Sequence, residues 1–358
     1  MVGMSRGITS WCKRALRKAF FAPQYALRRS ILRNRSAQNL KKIDSNPIPI
    51  APHEIRLYMT VRNESLRLPF MLRYYFSRGV DRIFVVDNNS SDSTADIVLS
   101  EKNTHLFLTK EVHATQAYRI DLLLHRYGIG HWCLIVDADE ALIYPYSETL
   151  ALRELCGFLD QESADAMDCL LLDMYPGVPL TEVKYERGSD PLLTAPWFDK
   201  SPYTTGCKGP LYIGEESILY EGAERMFGGM RKRVFGVNAC LSKFPLIKFN
   251  ARMFLSQGTH FVQNARPSDI RGALLHFKYL QDFAANVKSE VERNQHWHDA
   301  VEYKKYLSRL NSSPDFDFYS PFSTRFTNSH QLVALNLMKS SERLSAFAAA
   351  SQTITSSH

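Results

Sequence analysis

Trp132-Cys133-Leu134-Ile135-Val136-Asp137-Ala138-Asp139-Glu140 is the stretch on which the fold turns. Its apolar first half reads as a buried strand, and its end places two aspartates, one residue apart, where the strand gives out. Working back toward the N-terminus, the same pattern repeats. Ile55 to Val61 reads as a first strand, Leu66 to Ser77 as a helix stopped by Gly79, and Arg82 to Val86 as a second strand closed by Asp87. Leu106 to Thr109 gives a short third strand and Thr115 to Tyr127 a helix ended by Gly128, which makes the opening stretch the fourth strand. Strands alternating with helices predict an α/β fold, a mostly parallel sheet flanked by crossover helices. In such sheets ligands gather beyond the carboxyl ends of the strands, so Thr60, Asp87 and Asp137 are expected to face one crevice.

The chain of 358 residues, 45% hydrophobic and 12% aromatic, carries enough apolar material for a full core and is not disordered throughout. Its formal charge of +7 is unevenly spread. Residues 1–43 hold 11 of the 44 Lys and Arg and no acid, so the remainder sets 33 bases against 37 acids, about −4. That excludes a nucleic-acid binder acting through its whole surface and predicts a near-neutral globule behind a cationic extension. Six scattered cysteines without C-x-x-C spacing suggest neither a zinc site nor a disulfide framework, and fit a reducing compartment.

Within the extension Ile8, Trp11, Cys12, Ala15, Leu16, Ala19 and Phe20 recur at helical spacing, with Lys13, Arg14, Arg17 and Lys18 opposite. An amphipathic cationic helix of this kind suits an anionic membrane surface, reached through residues 1–42; a flexible basic arm or an Arg-rich targeting peptide are the other readings. No apolar run is long enough to span a bilayer and no secretory signal stands out, so a cytoplasmic location, peripheral on the inner face of the plasma membrane if the arm docks, is expected. The expected division is residues 1–50 as extension and Pro-rich linker (Pro47, Pro49, Pro52), 51–330 as the α/β domain, and 331–358 as a C-terminal helix or tail.

Asp137-Ala138-Asp139 sets closely spaced oxygens beside one hard divalent cation, manganese or magnesium, while the alternative for such acids is a solvated turn. An EF-hand is excluded, because the loop lacks the glycine and the closing glutamate. Thr60, Arg62 and Glu64 follow the first strand, and Asp87 and Asn89 the second, which are positions for a base and ribose. Ser91, Asp92 and Ser93 read as loop and helix-cap residues, with Ser93 capping the next helix.

In this order TVRNE (60–64), VVDNNSSDST (85–94) and IVDADE (135–140) resemble the family-2-like glycosyltransferases of bacterial polysaccharide clusters. Leu172-Asp173-Met174-Tyr175, Trp197-Phe198-Asp199, Gly228 to Arg233 and Leu274 to Lys278 look like later elements of that subgroup, extending coverage from about Ile55 to Phe283. The resemblance implies a GT-A fold and transfer of a sugar from a UDP- or GDP-linked donor to a sugar or lipid-linked glycan acceptor, with inversion a family expectation. It implies Asp139 as the main metal ligand, Asp137 as a ligand or ribose contact, and His276 completing the metal site, against a core histidine. Gly228 and Gly229 would admit the substrate closely, with Arg231 and Arg233 near diphosphate or acceptor. Asp173 and Asp199 are the candidate catalytic bases. The rival readings are a haloacid-dehalogenase-type phosphatase with Asp137 as nucleophile, disfavoured because its acid follows a first strand, and a non-catalytic nucleotide-sugar binding protein.

Overall fold

The computed structural model describes residue 27 and residues 29–112, 115–206, 224–295, 297–313 and 315–355. In chain order the strands and helices are β1 (Lys41–Lys42), β2 (Ile55–Val61), α1 (Leu68–Ser77), β3 (Arg82–Asp87), α2 (Thr94–Ser100), β4 (Thr104–Leu108), α3 (Gln116–Tyr127), β5 (Trp132–Ile135), β6 (Glu140–Ile143), α4 (Leu152–Gln161) and β7 (Ala166–Asp173). There follow β8 (Trp197–Asp199), β9 (Tyr203–Gly206), β10 (Arg225–Gly228), α5 (Gly229–Phe235), β11 (Ser242–Lys248), β12 (Phe254–Ser256), β13 (Phe261–Gln263) and β14 (Pro267–His276). The chain ends with α6 (Phe283–Arg293), α7 (Trp297–Ser312), β15 (Ser323–Arg325), α8 (Ser329–Ala334) and α9 (Glu342–Thr355).

Nine strands form one mixed sheet in the order β1-β4-β3-β2-β5-β11-β7-β14-β6. The run β4-β3-β2-β5 is parallel, β11 runs antiparallel between β5 and β7, and β7 pairs parallel with β14. Successive strand residues feed opposite faces, as the two-residue period requires. Leu57, Met59, Ile83 and Val85 pack with Leu72 of α1 and Leu155 of α4, whereas Tyr58, Phe84 and Val86 pack with Leu123 and Leu124 of α3. Each such fully buried Leu contributes about 1.5–3 kcal/mol. Gly128 ends α3 by donating its N–H to the Leu124 carbonyl at 2.7 Å.

Residues 29–38 are helical and already packed on the domain. Arg29 pairs with Asp121 at 2.8 Å, Leu40 is in the core, β1 pairs with β4, and Asp44 accepts the Leu106 N–H. The basic extension therefore joins the fold well before residue 51. At the other end the segment after residue 330 is largely helical, and its Leu332, Leu337, Met338 and Leu344 belong to the main core. The amphipathic segment around Ile8 to Phe20 lies outside the described residues. No described helix is long and apolar enough to cross a membrane.

Candidate active site

The order of the parallel strands reverses between β2 and β5: from β2 the chain builds outward to β3 and β4, then returns to β5 on the other side. A reversal of this kind opens a crevice at the carboxyl ends of the strands. A cavity of about 760 Å³ lies there. Thr60, Arg62 and Glu64 line it from the end of β2, Asp137 and Asp139 from the turn after β5, and His276 from the end of β14. The hairpin joining β12 to β13 closes one side, and α6 with α7 contributes another.

Sheet register explains the innermost group. β7 and β14 end in step, with His276 opposite Asp173, and β6 begins opposite them with Glu140. His276 Nδ1 lies 2.8 Å from Asp173 Oδ1, and its Nε2 lies 3.3 Å from Asp139 Oδ2. The Arg231 guanidinium donates to both oxygens of Asp173, at 2.7 and 3.0 Å. Burial alone would raise Asp173, but Arg231 and His276 hold it well below the usual carboxylate range. Asp139 is likewise held down, against its burial, by His276, Arg67 and Lys278. Burial opposes the charged form of His276, yet the two carboxylates lift it to about 9.

A second cluster backs the first. Lys243 is fully buried, with Nζ 2.7 Å from Glu140 Oε2 and 3.4 Å from Asp137 Oδ2. It owes its position to Pro245, which cannot donate to a ladder and is tolerated in this inner strand only at the register shift between Lys243 and Leu246. The Phe244 N–H, displaced from the ladder, donates to the His260 carbonyl at 2.7 Å.

The remaining expected residues divide. Thr60 Oγ1 is buried and has no hydrogen-bond partner among the described residues. Arg62 donates to the Asn88 carbonyl at 3.0 Å and also borders a smaller adjoining recess with Asn89. Glu64 faces the cavity 3.3 Å from Arg67, its carboxyl raised by burial while Arg67 opposes. Asp87 is turned inward, 2% exposed, and its Oδ1 accepts from the Ser90 N–H and hydroxyl. The first turn of α2 is held by Asp92, which accepts from the Thr94 N–H and hydroxyl, while the Ser93 side chain makes no cap bond.

The two candidate bases lie off the cavity wall, and their partners explain why. Asp173 is committed to Arg231 and His276. Asp199, wholly buried, accepts from Arg233 at 2.8 and 2.9 Å and from the Tyr175 hydroxyl. Each is paired with an arginine, Asp173 with Arg231 and Asp199 with Arg233. Gly228 and Gly229 also serve the fold: φ is +115° and +64°, and added Cβ atoms would meet Pro202 O at 2.5 Å and the Tyr203 hydroxyl at 2.8 Å. The close approach they permit is to β9, not to a ligand.

Among the described residues no three His, Cys, Asp or Glu side chains converge on one point as a metal cage. Asp139 and His276 are brought together, whereas Asp137, the third expected ligand, faces Lys243. Lys243 and His260 were not expected, and the one sequence signal for the former is a lysine next to Phe-Pro-Leu-Ile in a strand-like run. No family model matches the chain. No curated protein matches it.

Proposed function

We propose that the chain is a glycosyltransferase of GT-A type, moving a sugar from a UDP- or GDP-linked donor to a hydroxyl on a sugar or lipid-linked glycan, with manganese or magnesium as cofactor. The observation that carries this reading is the Asp139–His276–Asp173 array at the strand-order reversal. A histidine that directs one nitrogen into a cleft while its other nitrogen is held by a carboxylate is the usual support of a metal-binding imidazole. One carboxylate and one imidazole suit manganese or magnesium at a diphosphate, where phosphate oxygens and water supply the other ligands. The metal would stabilise the negative charge that develops on the departing diphosphate.

The chain's own residues supply the rest. Lys278, its ammonium 4.4 and 4.9 Å above the Tyr303 and Tyr306 rings, gives the cavity wall a positive charge suited to the diphosphate. Asp137, steadied by Lys243, takes the ribose side in place of a metal position. The unpartnered Thr60 hydroxyl and the backbone around Asn88 and Asn89 suit the nucleoside. Asp87 serves by shaping that loop through Ser90. A cavity of about 760 Å³ is within the size range of small-molecule sites.

The test is calorimetry with UDP and with GDP, in manganese and in chelator, followed by a screen of nucleotide sugars for release of the nucleoside diphosphate. Manganese-dependent binding of one nucleotide and turnover of its sugar are expected. Binding of neither nucleotide would end the proposal, and binding without any turnover would favour a non-catalytic nucleotide-sugar binder.

A further inference from the structure

Cavity-lining acids are nearly all committed. Asp139 faces His276, Asp137 and Glu140 share Lys243, Glu64 faces Arg67, Glu290 holds Arg293 at 2.6 Å, and Glu302 accepts from Tyr306 and lies 3.4 Å from Arg231. His260, on the same wall, pairs with no carboxylate among the described residues. It closes the four-residue loop Gln257-Gly258-Thr259-His260 between β12 and β13, in which Gln257 and Gly258 take φ values of +50° and +68°. Its carbonyl accepts the Phe244 N–H at the bulge, and its Nδ1 sits 3.4 Å from the Ser242 carbonyl. A ring nitrogen facing a carbonyl carries the hydrogen, which leaves Nε2 as the acceptor.

The geometry points to His260 as the catalytic base of the transfer. This rests on the glycosyltransferase reading above and supplies the group that Asp173 and Asp199 do not. His260 Nε2 takes the proton of the acceptor hydroxyl as that oxygen forms its bond to the anomeric carbon. The bond from that carbon to the donor's diphosphate oxygen breaks, its electron pair leaves on the diphosphate, and the imidazolium later returns its proton to water. Burial and Lys243 hold the ring below the ordinary histidine range, so it rests neutral as a weaker base than free imidazole; Asp137, the opposing charge facing it, supports the imidazolium as the proton arrives, and Arg231 is a further cation facing it.

Wild type, His260→Gln and His260→Ala are compared for nucleoside diphosphate release from UDP- and GDP-hexoses in manganese, with water as acceptor, alongside UDP and GDP affinity by calorimetry. Loss of a general base predicts a kcat lower by about 10²–10⁴-fold. Nucleotide affinity should stay within about twofold, and added imidazole should restore turnover to His260→Ala. A kcat within about threefold of wild type, or nucleotide affinity lost together with kcat and no rescue, overturns the assignment. A turnover-independent arm uses diethyl pyrocarbonate with peptide mapping. His260 should be carbethoxylated, and UDP or GDP with manganese should protect it about tenfold or more; no labelling, or labelling without protection, overturns the assignment too. A wild type that binds neither nucleotide removes the glycosyltransferase reading itself, and the base falls with it.

Discussion

Replacing Lys243 with Met keeps the length and approximate volume of the side chain and deletes one buried charge. The ammonium is fully buried, 2.7 Å from Glu140 Oε2 and 3.4 Å from Asp137 Oδ2. Asp137, whose side chain is 39% exposed, can turn to water, but Glu140 at 2% cannot. Glu140 would keep the Asp137 N–H at 2.8 Å and lose its cation. Stranding one member of a buried ion pair costs about 3–5 kcal/mol. Burial already pushes the Glu140 carboxyl up while Lys243 opposes, so removing Lys243 lifts it further. A carboxyl whose folded pKa lies above its unfolded value gives its full stability below the unfolded pKa and loses it as pH rises through the folded one. The penalty of the Met variant should therefore be small near pH 5, where Glu140 takes up a proton, and grow toward pH 8.5. With Glu140 already raised to about 7 in the wild type, at about 1.4 kcal/mol per pKa unit the difference between the two pH values should reach about 2 kcal/mol. Urea unfolding followed by tryptophan fluorescence at both pH values measures it, and adding Glu140→Gln should recover most of the loss at the higher pH. A penalty that is the same at both pH values, or one that Glu140→Gln does not relieve, would show that the stranded Glu140 carboxylate is not its source.

His276, lifted to about 9 by Asp139 and Asp173, is protonated at pH 7.5, so manganese binding through its Nε2 should release about one proton. Titrations in buffers of different ionisation enthalpy read that proton directly, and a buffer-independent heat would take His276 out of the metal site. Gly228→Ala should cost about 1–3 kcal/mol in backbone strain alone, since φ is +115° and a Cβ would lie 2.5 Å from Pro202 O. Its manganese affinity should match wild type in a still-folded variant; an undiminished urea midpoint would contradict the packing role assigned to the glycine.

The parallel half of the sheet was legible because its strands are continuous apolar runs bounded by Gly79, Gly128 and strand-end acids, signals that are local. β11 was not, since an antiparallel strand inserted between β5 and β7 leaves no local mark, and Pro245 argues against an inner strand until its bulge is seen. Lys243 and His260 were hidden for the same reason. The partners of Asp173 and Asp199, Arg231 and Arg233, stand 58 and 34 residues away on α5 and leave no mark beside either acid. An acid at a strand end looks the same in sequence whether a ligand or an arginine faces it. Residue type and strand end single out Asp137 and Asp139, and the resemblance His276, but that Asp139 meets His276 while Asp137 faces Lys243 depends on β14 ending in step with β7.

We propose that Asp139 with His276 holds the divalent cation at a diphosphate in this crevice. It is tested most directly by release of UDP or GDP from the matching nucleotide sugar across a manganese titration, for wild type and Asp139→Asn, with circular dichroism to show that both are folded. Saturable manganese dependence in wild type, no turnover in chelator, and a loss of several kcal/mol of leaving-group stabilisation for the variant, about 10²-fold or more in rate, are expected. Full turnover by Asp139→Asn in chelator would contradict it.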